Sequence, residues 1–143
     1  WYRYHPTCRG DATVSLCGST FDTKLAVYGR FCPAETPEAI ACNDDYCFTQ
    51  SQVTFPVNPR GEYLLRIGGY HGAQGSGSIT IYTNPADINQ DCFVNLLDAA
   101  QLAYPWQAGG CVTPTWCNRA DINHDGFVNM LDLMILVENW LEP

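Results

Sequence analysis

Two twelve-residue segments, 87–98 (DINQDCFVNLLD) and 121–132 (DINHDGFVNMLD), set Asp, Asn and Asp at alternate positions. That is the spacing at which a tight loop offers oxygens to a calcium ion, which takes six to eight of them from carboxylates, amides and carbonyls. The candidate ligands are the side chains of Asp87, Asn89, Asp91, Asn95 and Asp98 with the Phe93 carbonyl. In the second copy they are Asp121, Asn123, Asp125, Asn129 and Asp132 with the Phe127 carbonyl. Position 12 carries Asp where an EF-hand carries Glu. The copies start 34 residues apart and, counting the preceding Ala, agree at ten of thirteen positions, which speaks for duplication. Three carboxylates per loop repel one another unless a cation sits between them. The all-oxygen set disfavours zinc, and a seven-ligand protein cage disfavours magnesium. The bland alternative is an Asx-rich turn that only caps a helix.

Each loop needs an element behind it. Apolar runs from Leu96 to about Tyr104 and from Met130 to about Leu141 predict two helices, with Pro105 ending the first. The second, with Leu131, Met134, Ile135, Val137, Trp140 and Leu141, has almost no polar face. Such a helix asks for burial on more than one side, against its repeat partner and a further domain or subunit. Residues 107–118, with Gly109, Gly110 and Pro114, read as a connector. Before residue 85 the pattern changes: short runs rich in Val, Ile, Leu, Tyr and Thr recur about every ten residues between turn signals. Strands are expected at 1–4, 13–17, 25–28, 39–42, 52–57, 63–68 and 78–83, and Asn84-Pro85 marks the boundary. The fold class is mainly β with a helical tail, a jelly-roll-like antiparallel sandwich over 1–84 followed by a loop-helix domain over 86–143.

The motif D-x-N-x-D-G-x-V-N-x-x-D, complete in the second copy, resembles the dockerin, an extracellular module whose two loop-helix repeats bind calcium and attach to a cohesin. The resemblance covers about residues 86–142. It implies two Ca²⁺ ions and a cohesin-like scaffold as partner. Dockerins use the two residues before position 12 and nearby helix positions for recognition, here Leu96, Leu97, Met130 and Leu131, which are apolar and look more like core or a buried contact than a polar recognition code. The first copy departs at Cys92, where Gly126 stands in the second. That position favours a left-handed turn, so loop one is expected to be distorted or braced by a disulfide. The strings WYRYHPTCRGDATVSLCGSTFDTKLAVY, IACNDDYC and EYLLRIGGYHGAQGSGSITI resemble β-sandwich domains of the pre-peptidase C-terminal type in secreted planctomycete-like proteins. These are appended non-catalytic modules for secretion, adhesion or attachment. Relatives would carry strands before Trp1, so the chain reads as a fragment or as a sandwich completed by a neighbouring copy.

Eight cysteines in 143 residues point to an oxidising compartment and to disulfides. Cys8, Cys17, Cys32, Cys42 and Cys47 lie in the sandwich, and Cys92, Cys111 and Cys117 in the repeats. If all pair within the chain, at least one bridge crosses between domains. Connectivity stays open among 105 pairings. A third cation near Asp22, Asn43, Asp44 and Asp45 is weighed against Asx residues bonding their own backbone, and the latter is preferred. The net charge of −8 argues against nucleic-acid or anionic-membrane partners, and six of those charges lie in the loops. No apolar run is long enough for a membrane span. The missing initiator Met is read as a mature secreted chain.

No catalytic constellation stands out. His5, His71 and His124 are scattered, with His124 read as solvated, and Ser15, Ser19 and Ser51 sit in no nucleophile context. Trp1, Tyr2, Tyr4, Trp106, Trp116 and Trp140 could stack on carbohydrate or simply pack. The expectation is a non-enzymatic extracellular calcium-binding structural protein, a filament or surface-assembly subunit contacting other copies of itself. The alternative is a binding module for a cohesin-like scaffold or carbohydrate, even as a piece of a larger secreted enzyme.

Overall fold

A computed structural model describes residues 1–30, 38–112 and 115–141. Seven strands come first: β1 (Tyr2–Tyr4), β2 (Gly10–Ser15), β3 (Thr23–Tyr28), β4 (Ala41–Asn43), β5 (Gln52–Val57), β6 (Tyr63–Gly69) and β7 (Thr80–Tyr82). Two helices follow, α1 (Leu96–Ala103) and α2 (Met130–Glu138). The chain divides into two compact units, Trp1–Thr83 and Asn84–Pro143.

In the first unit all pairings are antiparallel, in sheets of order β1-β6-β3-β4 and β5-β2-β7. Strands β3 and β5 bury every second side chain, as half-buried strands do. Val53, Phe55 and Val57 of β5 point inward and face Ala12 and Val14 of β2, Leu25 and Val27 of β3, and Leu65 of β6. One polar clasp is buried with them. The Ser51 amide donates to Thr23 Oγ1 at 2.8 Å and the Ser51 hydroxyl to the Thr23 carbonyl at 2.7 Å, so these two residues satisfy each other's buried polar atoms. Gly69 is required where β6 ends, because a Cβ would meet the Ala73 carbonyl oxygen at 1.8 Å.

A disulfide joins Cys17, just past β2, to Cys47 in the β4–β5 connection, and a second joins Cys111 to Cys117. Cys8 and Cys92 are also disulfide-bonded. The expectation of a disulfide fails at Cys42, which is a free, exposed thiol. It sits on the short edge strand β4, opposite Ala26. Cys32 lies outside the described residues. Of the acidic group near β4, Asn43 is spent on its own loop, accepting the Gln52 amide and donating to the Asp45 carbonyl.

The second unit has a separate core of Ala86, Ile88, Val94, Leu102, Cys111, Ala120, Ile122, Val128 and Leu136. Its helices are shorter than their apolar runs. The first ends as Pro105 removes the next amide donor; the second ends at Asn139, whose backbone and side-chain nitrogens both bond the Ile135 carbonyl. Residues 107–111 are no free connector. Gln107 N–H donates to the Val128 carbonyl, Val128 N–H to that of Ala108, and Cys111 N–H to that of Gly126, which lays this stretch along the second loop.

Candidate calcium sites

Each loop is wound by its own side chains. Asp87 Oδ1 accepts the Asp91 amide (3.1 Å) and Oδ2 the Cys92 amide (3.0 Å); Asn89 Oδ1 accepts Asp91 N–H, and Asp91 Oδ1 accepts Phe93 N–H. The second loop repeats the set, with Asp121 accepting from Asp125 (3.1 Å) and Gly126 (2.9 Å), Asn123 from Asp125, and Asp125 from Phe127. The position-12 carboxylates are fully buried. Asp98 accepts amides from Asn89 and Asn95, and Asp132 accepts them from Ile122, Asn123 and Asn129.

These bonds shape the loop without neutralising it. In loop one, carboxylate oxygens of Asp87, Asp91 and Asp98 lie within 4.8 Å of one another. Two oxygens that each touch Ca²⁺ at 2.3–2.6 Å stand at most about 5 Å apart, so the three can share one ion. Burial raises the Asp87 pKa above the usual carboxylate range, and the neighbouring Asp98 charge adds to it. Burial does the same to Asp121, with Asp132 and Asp125 contributing. Gathered at one point in loop one, these carboxylates fit a divalent ion of hard-oxygen preference.

Two predicted ligands have another task. Asn95 and Asn129 are the N-caps of α1 and α2: their Oδ1 atoms accept the Leu97 and Leu131 amides at 2.8 Å, while Asp98 and Asp132 bond back to the cap amides. Position 9 therefore serves as a helix cap whether or not it also faces an ion, so the cap reading coexists with the calcium reading.

Cys92 adopts φ 77°, close to the 94° of Gly126. A Cβ there costs on the order of 1 kcal/mol, yet the Asp87–Cys92 bond matches its counterpart. Loop one is not distorted, and Cys92 within it is disulfide-bonded.

The repeat runs further than the motif. Leu102 and Leu136, 34 residues apart, are each 2 % exposed or less. Trp106 and Trp140 keep the same offset, as do Gln107 and Leu141, both at φ 64°. The Gln107 amide bonds the Val128 carbonyl of loop two and the Leu141 amide the Val94 carbonyl of loop one, both at 2.9 Å. Each repeat's tail therefore closes the other repeat's loop. Carrying the 34-residue offset past position 12 would have found this in the sequence. Arg119 was missed as well, and no spacing signals it: its guanidinium donates to the Asp87 carbonyl at 3.2 Å. His124 is not simply solvated, since its ring stacks on Trp116 at 4.5 Å and desolvation lowers its pKa.

Proton competition gives a testable sign. Before an ion binds, Asp87 and Asp121 have folded pKa values above their unfolded ones. Their contribution to stability is present below the unfolded pKa and lost as pH rises through the raised values. Calcium needs the carboxylate form, so its affinity falls as pH drops through that same range. Titrations at stepped pH should show calcium affinity weakening on acidification, with protons released on binding; a flat profile removes Asp87 and Asp121 from the ligand set.

The family model of the dockerin type I domain matches residues 85–141. This is the stretch that holds both loops and both helices, and it covers less than half of the chain. Domains of this type bind calcium and dock to cohesins in extracellular and cell-surface proteins. No curated protein and no solved structure matches the chain. No helix among the described residues is long and apolar enough to cross a membrane.

Proposed function

We propose that the protein is a non-catalytic extracellular module that holds two calcium ions and attaches to a cohesin-like partner through the C-terminal unit, the sandwich being the domain so attached. One observation carries this reading. Behind each calcium loop stands the same exposed apolar trio, Phe93, Leu96 and Leu97 in one repeat and Phe127, Met130 and Leu131 in the other, each more than half exposed. Solvent-facing apolar groups on a rigid, ion-pinned frame are a docking surface rather than a core. The test is size-exclusion chromatography of the full chain with a purified cohesin domain. A complex should form in calcium, vanish in chelator, and weaken at least about 100-fold in the Leu97→Asp/Leu131→Asp double variant. A complex indifferent to calcium and to both substitutions overturns the reading.

Self-assembly into a filament or surface layer is the second reading, and the duplication favours it, because two like faces on one chain allow two contacts and therefore growth. Negative-stain imaging distinguishes the two. Ordered polymers that disperse in chelator support self-assembly, and single particles in both conditions leave docking alone.

A further inference from the structure

We infer that Arg119 sets the calcium affinity of loop one below that of loop two, so that the two sites fill at different calcium concentrations. The inference rests on the calcium reading above. Arg119 precedes the second loop by two residues, yet its Nη2 bonds the carbonyl of Asp87, the first residue of the first loop. The charges acting on its guanidinium are those of Asp87 and Asp98, two of the three carboxylates that converge in loop one. The guanidinium keeps its charge at any ordinary pH.

A fixed cation beside two of three ligands does two things. It relieves carboxylate repulsion before the ion arrives, and it repels a divalent ion afterwards. Both reduce the gain on binding. In loop two the Arg119 charge acts on His124, a residue outside the ligand set, and among the described residues no cation is seen bonding a ligand carbonyl there. The residue 34 positions before Arg119 is Pro85, which carries neither charge nor amide proton, so the exchange between repeats that is symmetric at Gln107 and Leu141 is one-sided here. The first loop also has a side chain at its left-handed position 6 where the second has glycine. Both differences rank the sites in the same order. The face of Phe93, Leu96 and Leu97 would then be fixed only at the higher calcium concentration, while that of Phe127, Met130 and Leu131 is fixed first.

Calorimetric titration of the full chain with CaCl₂ tests this. The parent should show two unequal sites. In an Asp132→Ala background, which leaves loop one alone, Arg119→Gln should tighten calcium about tenfold, and the gain should shrink as salt rises. In an Asp98→Ala background, which leaves loop two, the same change should shift affinity less than about twofold. Arg119→Lys keeps a cation there and guards against a merely structural effect: it should stay near the parent affinity. Unchanged or weaker loop-one affinity in Arg119→Gln, or an equal change in both loops, overturns the assignment while leaving the calcium sites intact. A parent chain that binds no calcium overturns both.

Discussion

Chelation of calcium should loosen residues 86–141 and leave the sandwich standing. The second unit has about 60 residues, a size at which apolar burial alone is marginal. It buries Asp87, Asp98, Asp121 and Asp132. Without an ion, loop one keeps three carboxylates within 4.8 Å of one another, an arrangement that favours opening. With calcium at 100 times its dissociation constant, each ion adds about 2.7 kcal/mol to the folded state, and two ions exceed the margin such a unit has by itself. The sandwich contributes none of these ligands, and it has its own core and the Cys17–Cys47 bridge. Thermal unfolding followed by circular dichroism should give a calcium-dependent transition with loss of helical signal and a second transition indifferent to chelator. A single transition that ignores chelator would mean the loops are structural turns only.

Leu136→Ala should cost the second unit about 3–4 kcal/mol, within the range for a fully buried leucine, and leave it unfolded unless calcium is saturating. Leu136 is 1 % exposed and packs in the core built from both repeats. Leu131, five residues earlier on the same helix, is 52 % exposed, so Leu131→Ala should move stability by less than about 0.5 kcal/mol. The pair separates two roles of one apolar run. Denaturant unfolding in fixed calcium should show the large shift only for Leu136→Ala. Equal shifts would mean that Leu131 is buried too and that the exposed face does not exist.

Strand positions were legible because alternation is a local signal: the run at 52–57 is β5 to the residue, and the other six strands fall within three residues of their expected ends. The loops were legible because ligand spacing is fixed by the ion. What escaped was non-local. Arg119 reaches a loop 32 residues away, and no periodicity encodes that. Residues 107–111 looked like a connector by their glycines, yet Gly109 is small because the Phe127 ring lies where a Cβ would be, at 2.9 Å. Asn95 and Asn129 carried two meanings in one side chain, ligand and cap, and only the cap geometry decides which oxygen is already engaged. Cys42 was grouped with the other cysteines by count, whereas pairing depends on which face of an edge strand it occupies.

The most direct test of the central claim is an ion count by native mass spectrometry on the full chain, Asp98→Ala, Asp132→Ala and the double variant, each equilibrated with calcium. With one ion per loop, the parent should carry two bound Ca²⁺ ions, each single variant one and the double variant none. Two ions retained by the double variant, or none in the parent, would contradict it.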